Sequence, residues 1–336
     1  MAATLLKRLT AALALLAVLT AMLVAATASP AAADPEGGTK TLRDALESAA
    51  KGYADGKNKL AASKKRQSEL QATMKQSQAS ADKLQGQVSA YAARSYQYGR
   101  YTAMNLLLNS SSPDAFLERA ARLDMVAQTD AHTLADYRTA VDTAEQAKTA
   151  IDAEVKEQEK QLKVLEKKKK EAELALASVG GGATAGGFVN ANSPLAKPAP
   201  RNSDGSWPKE SCTINDPTTS GCITPRTLNA YQQARSAGFT HYTSCFSERS
   251  SGEHPKGRAC DFSANATTFK NAAATGSDKT YGDRLAAYFV KNADRLGVMY
   301  VIWFREIWMP STGWRSYSGS GGPSAVHTNH VHLSML

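Results

Sequence analysis

The sequence predicts an all-α antiparallel coiled-coil hairpin followed by a small α+β domain. Apolar positions three and four residues apart recur through residues 40–98 and 134–176, and this heptad spacing is typical of a coiled-coil seam. The composition changes after residue 200, where all four cysteines, all four tryptophans and five of the six histidines lie. This change marks a separate globular domain, which we place at residues 208–336.

The first 33 residues have the features of a secretory signal peptide. Lys7 and Arg8 supply a basic start, an alanine- and leucine-rich stretch follows, and Pro30-Ala-Ala-Ala33 offers a small-residue cleavage site. The apolar stretch, about 20 residues long, also has the length of a membrane span, so an uncleaved anchor is the alternative. We expect an exported protein in either case.

The hairpin is predicted over residues 40–178. Ser112-Pro113-Asp114 marks the start of its second helix, because serine caps well, proline suits the first helical position and aspartate complements the helix dipole. Gly180-Gly-Gly182 ends that helix. The seam includes poor knobs such as Gly56 and Ser63, which predicts a helix that is mobile or needs a partner.

The most apolar part of the helical region is the stretch from Tyr96 to Leu108. We interpret it as a turn and a short helix at the tip of the hairpin, either as a local core or as a docking surface. Residues 94–124, with their Tyr-Gly, Leu-Leu and Phe-Leu elements, resemble the coiled-coil regulatory domains that precede secreted peptidoglycan hydrolases.

A glycine-rich and then proline-rich stretch, residues 179–207, is predicted to be a flexible linker. Beyond it, the patterns indicate helices over 224–238 and 281–296, a buried strand over 298–304 and a final strand over 330–335.

The four cysteines fit an oxidising compartment and allow three disulfide pairings. A Cys212–Cys222 bond would close a short local loop. A Cys245–Cys260 bond would tie the segment before the first histidine motif to the strand that carries Asp261.

Two short segments contain the residues that point to chemistry. The first runs from His254 to Asp261, and the second contains His327, His330 and His332. Neutral imidazoles with one carboxylate are the usual ligands of a catalytic zinc. Alternate residues of an extended segment share a face, so His330 and His332 are expected to point into one cleft.

The segment His254-Pro-Lys-Gly-Arg-Ala-Cys-Asp261 resembles the H-x-x-G-x-A-x-D motif of the zinc D-alanyl-D-alanine carboxypeptidases. The histidine-rich tail is similar to that of the penicillin-insensitive murein endopeptidase, a member of the same superfamily. The resemblance implies an antiparallel sheet, with His254, Asp261 and His332 holding Zn²⁺ and with His330 and His327 handling protons.

The resemblance also implies a role for an upstream arginine. Arg249 is expected to hold a substrate carboxylate or the tetrahedral oxyanion, and Arg258 is the alternative. The carboxypeptidases place a glutamate base where this chain has Asn329. Because an amide cannot accept a proton from water, the endopeptidase variant, which uses histidines, fits this sequence better. The reserve bases are the glutamates Glu248, Glu253 and Glu306.

These expectations describe a secreted, cell-wall-associated zinc peptidase, either an endopeptidase or a carboxypeptidase, acting on peptidoglycan stem peptides. The net charge of +9 favours anionic wall polymers, and export makes a nucleic-acid partner unexpected. The hairpin is expected to cover the cleft or to dock a membrane or divisome protein, with a passive spacer as the alternative. A non-catalytic wall-binding protein with a vestigial metal site is the competing hypothesis.

Overall fold

A computed structural model describes residues 39–190 and 192–336, apart from the side chains of residues 98–103. Two long helices are followed by a small domain built on antiparallel sheets. The predicted signal segment lies outside the described residues. Within the part of the chain that is described, no helix is both long and apolar enough to cross a membrane.

The two long helices are α1 (Lys40–Leu108) and α2 (Pro113–Ala177). The predicted cap of α2 is present, since the Ala115 N–H donates to Ser112 Oγ at 3.1 Å. The predicted turn within residues 96–108 is wrong, because α1 continues to Leu108 and residues 109–112 make the connection. The end of this stretch is rich in alanine, methionine and leucine, which favour an uninterrupted helix.

The two helices run antiparallel, and polar contacts fill the weak positions of their seam. Gly56 faces Leu165, whereas Ser63, further along α1, donates to Glu154 Oε2 at 2.6 Å. Arg66 Nε donates to the same carboxylate at 2.7 Å. At this part of the seam, an ion pair and a hydroxyl hydrogen bond therefore replace the packing of apolar side chains.

Apolar side chains near the connection between the helices are exposed to solvent. They include Tyr96, Met104, Leu108, Leu117 and Met125. The alternative of a local core at the tip therefore does not account for these residues.

The C-terminal domain contains a two-stranded sheet and a six-stranded sheet. The strands are β1 (Ile214–Asn215), β2 (Cys222–Ile223), β3 (Thr243–Ser244), β4 (Ala259–Ser263), β5 (Val298–Trp303), β6 (Glu306–Met309), β7 (Gly313–Ser316) and β8 (His330–Met335). The large sheet has the order β3-β4-β8-β5-β6-β7, and every neighbouring pair is antiparallel. This arrangement agrees with the expected small α+β domain.

Three helices accompany the sheet: α3 (Pro225–Ser236), α4 (Gly276–Lys291) and α5 (Ala293–Leu296). The predicted helix over 281–296 begins five residues earlier, at Gly276, and is interrupted at Asn292. The Asn292 side chain is occupied by neighbouring backbone, since its Oδ1 accepts from the Ala196 N–H at 2.8 Å.

The large sheet buries a different set of side chains on each face. Val331 and Leu333 of β8 belong to the main core, together with residues of α3, α4 and α5. On the opposite face, Tyr300 and Ile302 of β5 pack against the base of the hairpin. The hairpin residues in this second cluster are Leu42, Leu46, Ala49, Ala50, Ala172 and Leu176.

The chain divides into two compact units. One contains residues 39–51, 169–200 and 207–336, so it includes the base of both long helices as well as the sheets. The other contains residues 52–168 of the hairpin, together with residues 201–206.

Much of the predicted flexible linker is anchored rather than free. Gly182 N donates to Ser316 O at 2.9 Å, and Ala199 N donates to Arg295 O at 2.8 Å. Ala196 and Ala199 are also buried. The prediction of flexibility is therefore corrected for this part of the segment, because tertiary hydrogen bonds override its glycine- and proline-rich composition.

The packing of the hairpin base predicts unequal costs for two leucines on the same turn of α2. Leu176 is fully buried in the second cluster, whereas Leu174 is 60% exposed. We expect Leu176→Ala to lower the free energy of unfolding by about 2–5 kcal/mol, and Leu174→Ala to change it by less than about 0.5 kcal/mol. Chemical denaturation of both variants measures the difference, and equal costs would contradict the described packing.

Candidate metal centre

Two of the site residues are brought together by the pairing of β4 with β8. In this register Asp261 lies opposite His332, and Ser263 lies opposite His330. Side chains of directly paired residues point to the same face of a sheet. Asp261, His330 and His332 therefore share one face, and the alternation of His330 and His332 is as the sequence led us to expect.

His254 reaches the same place from a loop. It begins a short 3₁₀ turn, His254–Lys256, which ends at Gly257 with a φ of 66°. A Cβ at position 257 would lie 2.4 Å from Cys212 Sγ, so both conformation and space favour glycine there. The tight turn lets the chain reverse from His254 into β4.

The His254 ring is oriented by a backbone carbonyl. Its Nδ1 hydrogen-bonds to Cys245 O, which leaves Nε2 directed at the site. Cys245 forms a disulfide with Cys260, the neighbour of Asp261, and Cys212 pairs with Cys222. In metal sites, the histidine nitrogen that does not bind the metal commonly donates its N–H to a carbonyl in this way.

Three potential ligand atoms converge at distances that suit a metal ion. Asp261 Oδ1 lies 3.2 Å from His254 Nε2 and 2.8 Å from His332 Nδ1. The two nitrogens are 3.4 Å apart. Ligands bound tetrahedrally to zinc at about 2.0–2.2 Å would be separated by roughly 3.4 Å. The buried His254, Asp261 and His332 group can therefore bind a metal ion.

Asp261 carries the negative charge at the centre of the cluster. Burial opposes ionisation, but the favourable electrostatics of the neighbouring His254 and His330 rings outweigh it and hold the pKa of the Asp261 carboxyl well below its usual range. The carboxylate is therefore ionised and available as a metal ligand. Its other oxygen, Oδ2, lies 3.6 Å from Arg249 Nη2.

The two candidate arginines have different surroundings. Arg249 lies beside Asp261, and its Nε donates to Ser247 Oγ at 3.1 Å. Arg258 instead pairs with Glu47 of α1 at 2.6 Å. Of the two arginines, Arg249 is therefore the one that lies beside the potential metal ligands.

His330 is held by the residue that stands where a glutamate base was expected. The Asn329 amide nitrogen donates to Lys270 O and Ser324 Oγ, so its oxygen faces His330. His330 Nδ1–H donates to that oxygen at 2.7 Å, leaving a lone pair on Nε2. Within the described structure, this buried Nε2 has no hydrogen-bond partner, and it lies 3.4 Å from Asp261 Oδ1.

His327 completes the cluster. Its ring is fully buried, with its centroid 4.9 Å from that of His330 and 5.6 Å from that of His332. Burial lowers the pKa of His327 well below its usual range, so the ring is neutral. Neither ring nitrogen has a hydrogen-bond partner among the described residues.

The reserve bases are placed differently from the histidines. Glu253 is buried and paired with Arg258 at 2.5 Å, and Glu306 accepts from the Gly187 N–H.

The sequence analysis missed the residues that contact the site histidines from the side away from the metal position. They include the Ser334 hydroxyl, 2.8 Å from His332 Nε2, and the Tyr300 ring stacked on His332. Alternation along β8 could have placed Ser334 on the face of His332, but no signal identified Tyr300.

A family model matches part of the C-terminal domain. The model described as VldE, C-terminal domain, matches residues 219–328. The match includes His254, Asp261 and His327 and ends before His330 and His332. It spans about a third of the chain, and its description names no reaction. No curated protein and no solved structure matches the chain.

The geometry predicts that one metal ion binds per chain. We expect His254→Ala and His332→Ala each to lose stoichiometric zinc, because either change removes one of three converging ligands. His132→Ala, at an exposed position of α2, is the matched control and keeps the metal. Elemental analysis of the purified chains measures this, and full zinc content in both site variants would refute the ligand assignment.

Proposed function

We propose that this chain is a secreted zinc-dependent peptidase that cleaves a peptide bond in peptidoglycan stem peptides or their cross-links. The convergence of His254, Asp261 and His332, with His330 beside them, is the observation that carries this proposal. The resemblance of both histidine segments to the carboxypeptidase and endopeptidase superfamily supplies the substrate class.

In this proposal, His254 Nε2, Asp261 and His332 Nδ1 hold the zinc. Bound zinc would supply Lewis-acid polarisation of the scissile carbonyl and a water whose pKa is lowered to about 7. The chain itself supplies the orientation of these ligands. Cys245 O and Ser334 Oγ hold the outer nitrogens of the two rings, which fixes the nitrogens that face the metal position.

His330 is the proposed general base and acid. Its Nδ1 proton is held by Asn329, so Nε2 has the lone pair that can accept a proton from water and return it to the leaving amine. The loss of a glutamate at position 329 is therefore compatible with catalysis, since Asn329 orients the base instead of acting as one.

His327 and Arg249 are assigned supporting roles. The neutral His327 ring borders His330 and His332, where its ring N–H can donate to a group bound beside them during turnover. Arg249, which is partly exposed, can bind a substrate carboxylate or the tetrahedral oxyanion from its position beside Asp261. Endopeptidase and carboxypeptidase activities remain the two alternatives for the bond cleaved.

We further propose that the hairpin restrains or recruits the peptidase. Its exposed apolar tip is suited to docking a membrane or divisome protein. The cell wall is the proposed location, since the two disulfides fit an oxidising compartment and the positive net charge favours wall polyanions.

Replacing the proposed base separates catalysis from metal binding. We expect His330→Ala to retain zinc and to lose about 10²–10⁴-fold in hydrolytic rate, the usual contribution of a general acid–base group. Mass spectrometry of muropeptides released from purified peptidoglycan measures the rate and identifies the bond cleaved. His132→Ala is the control for a histidine outside the site.

Two outcomes of this assay would change the assignment. A near-normal rate for His330→Ala would transfer the proton role to His327 or to a glutamate. Zinc binding without any hydrolysis by the unmodified chain would leave two accounts: restraint of the peptidase by the hairpin, and the competing hypothesis of a wall-binding protein with a vestigial site.

The role of Asn329 gives a second test of the same mechanism. We expect Asn329→Ala to keep zinc but to lower the rate by at least about tenfold, because His330 loses the acceptor that fixes its tautomer. A rate equal to that of the unmodified chain would show that His330 does not need this orientation.

A further inference from the structure

Two of the three proposed metal ligands are held by the sheet, but the third is not. Asp261 and His332 are directly paired residues of β4 and β8, so the hydrogen bonds of the ladder fix their backbones. His254 lies in the loop of residues 251–258, outside any strand. The position of this ligand therefore depends on what holds the loop.

One face of α1 contacts both ends of this loop. Arg43 Nη2 donates to Ser251 Oγ at 2.6 Å. Glu47 lies four residues later, on the same side of the helix. It accepts from Lys256 Nζ at 2.8 Å and from Arg258 Nη2 at 2.6 Å. Residues on two neighbouring turns of α1 thus form hydrogen bonds with the loop on either side of His254.

The contacts of Glu47 continue to the residue next to the ligand. Glu253, which precedes His254, accepts from Lys256 Nζ at 3.0 Å and pairs with Arg258 Nη2 at 2.5 Å. The two cations therefore bridge one carboxylate on α1 and one on the loop. The side chains of Glu47, Arg258 and Glu253 are 18%, 12% and 3% exposed.

When one charged side chain is removed from a largely buried cluster of ion pairs such as this one, its former partners are left with uncompensated charge. Without the Glu47 carboxylate, Lys256 and Arg258 would share Glu253 alone among the carboxylates described here. The loop would then lose its ionic connection to α1 on the side that leads into β4. The hydrogen bond from His254 to Cys245 O would remain as a local restraint.

We propose that Arg43 and Glu47 are positioning residues that clamp loop 251–258 and thereby hold His254 at the metal site. The inference rests on the proposed metal site and adds to it a part of α1. The base of the hairpin then has a role in metal binding besides its packing against the sheet.

The test compares zinc affinity in the chain without its predicted signal segment, using competition with a chromophoric chelator. Glu47→Gln keeps the shape of the side chain and removes its charge. We expect its zinc dissociation constant to rise about tenfold, the lower end of the effect of an outer-shell partner. Glu47→Asp, which keeps the charge, should recover part of this loss, and a purely structural contact would not separate the two variants in this way.

Asp44→Asn is the matched control. Asp44 lies on the same turn of α1, is 52% exposed and pairs with Lys40 at 2.5 Å, away from the loop. We expect it to bind zinc as the unmodified chain does. Hydrogen exchange of the metal-free chains gives a second measurement, in which amides of residues 253–258 should exchange faster in Glu47→Gln and at unchanged rates in Asp44→Asn.

Arg43→Gln tests the other arm of the clamp if Glu47→Gln fails to fold, and we expect it to weaken zinc binding in the same direction. Unchanged zinc affinity in folded Glu47→Gln or Arg43→Gln would overturn the clamp and leave the metal site standing. Absence of zinc binding by the unmodified chain would instead overturn the metal site itself, and the clamp with it.

Discussion

The arrangement of the candidate metal centre depends on one buried carboxylate. Asp261 Oδ1 lies within 3.4 Å of nitrogens from His254, His330 and His332. A buried carboxylate is costly unless positive or hydrogen-bonding groups surround it. The pairing of β4 with β8 provides two of these groups, and the turn that ends at Gly257 provides the third. A bound cation would satisfy the same requirement, which is why the arrangement suits a metal.

The face of the sheet that carries these residues also carries the base of the hairpin. Tyr300 stacks on His332 and belongs to the same apolar cluster as Leu42, Leu46 and Leu176. The site and the helix base therefore share one layer of packing. A fragment beginning at residue 208 would lack this layer and would expose apolar side chains of β5 and β6 to water. Experiments on the site consequently need the helical region as well.

The local parts of this structure could be predicted from the sequence. Alternation placed His330 and His332 on one face, and Ser112-Pro113 marked the start of α2, because both features depend on neighbouring residues. The antiparallel sheet followed from the family resemblance rather than from a pattern. The composition of residues 179–207 suggested flexibility because composition reports intrinsic tendencies and not the tertiary hydrogen bonds that anchor the segment.

The contacts between distant segments could not be predicted. Glu47 and Arg258 are 211 residues apart, and no spacing rule connects a heptad position with a residue inside a metal motif. The role of Asn329 was missed for a similar reason. Its sequence position suggested a lost base, whereas its hydrogen bond to His330 depends on Lys270 and Ser324, which only the fold brings alongside it.

The central claim is that three residues from two strands and one loop form a single zinc site. Anomalous X-ray diffraction at the zinc absorption edge, from crystals of the chain grown with zinc, tests it most directly. We expect one strong peak within bonding distance of His254 Nε2, Asp261 and His332 Nδ1, with His330 beside it. A structure with these side chains in place and no zinc peak among them, or with zinc bound elsewhere, would contradict the account.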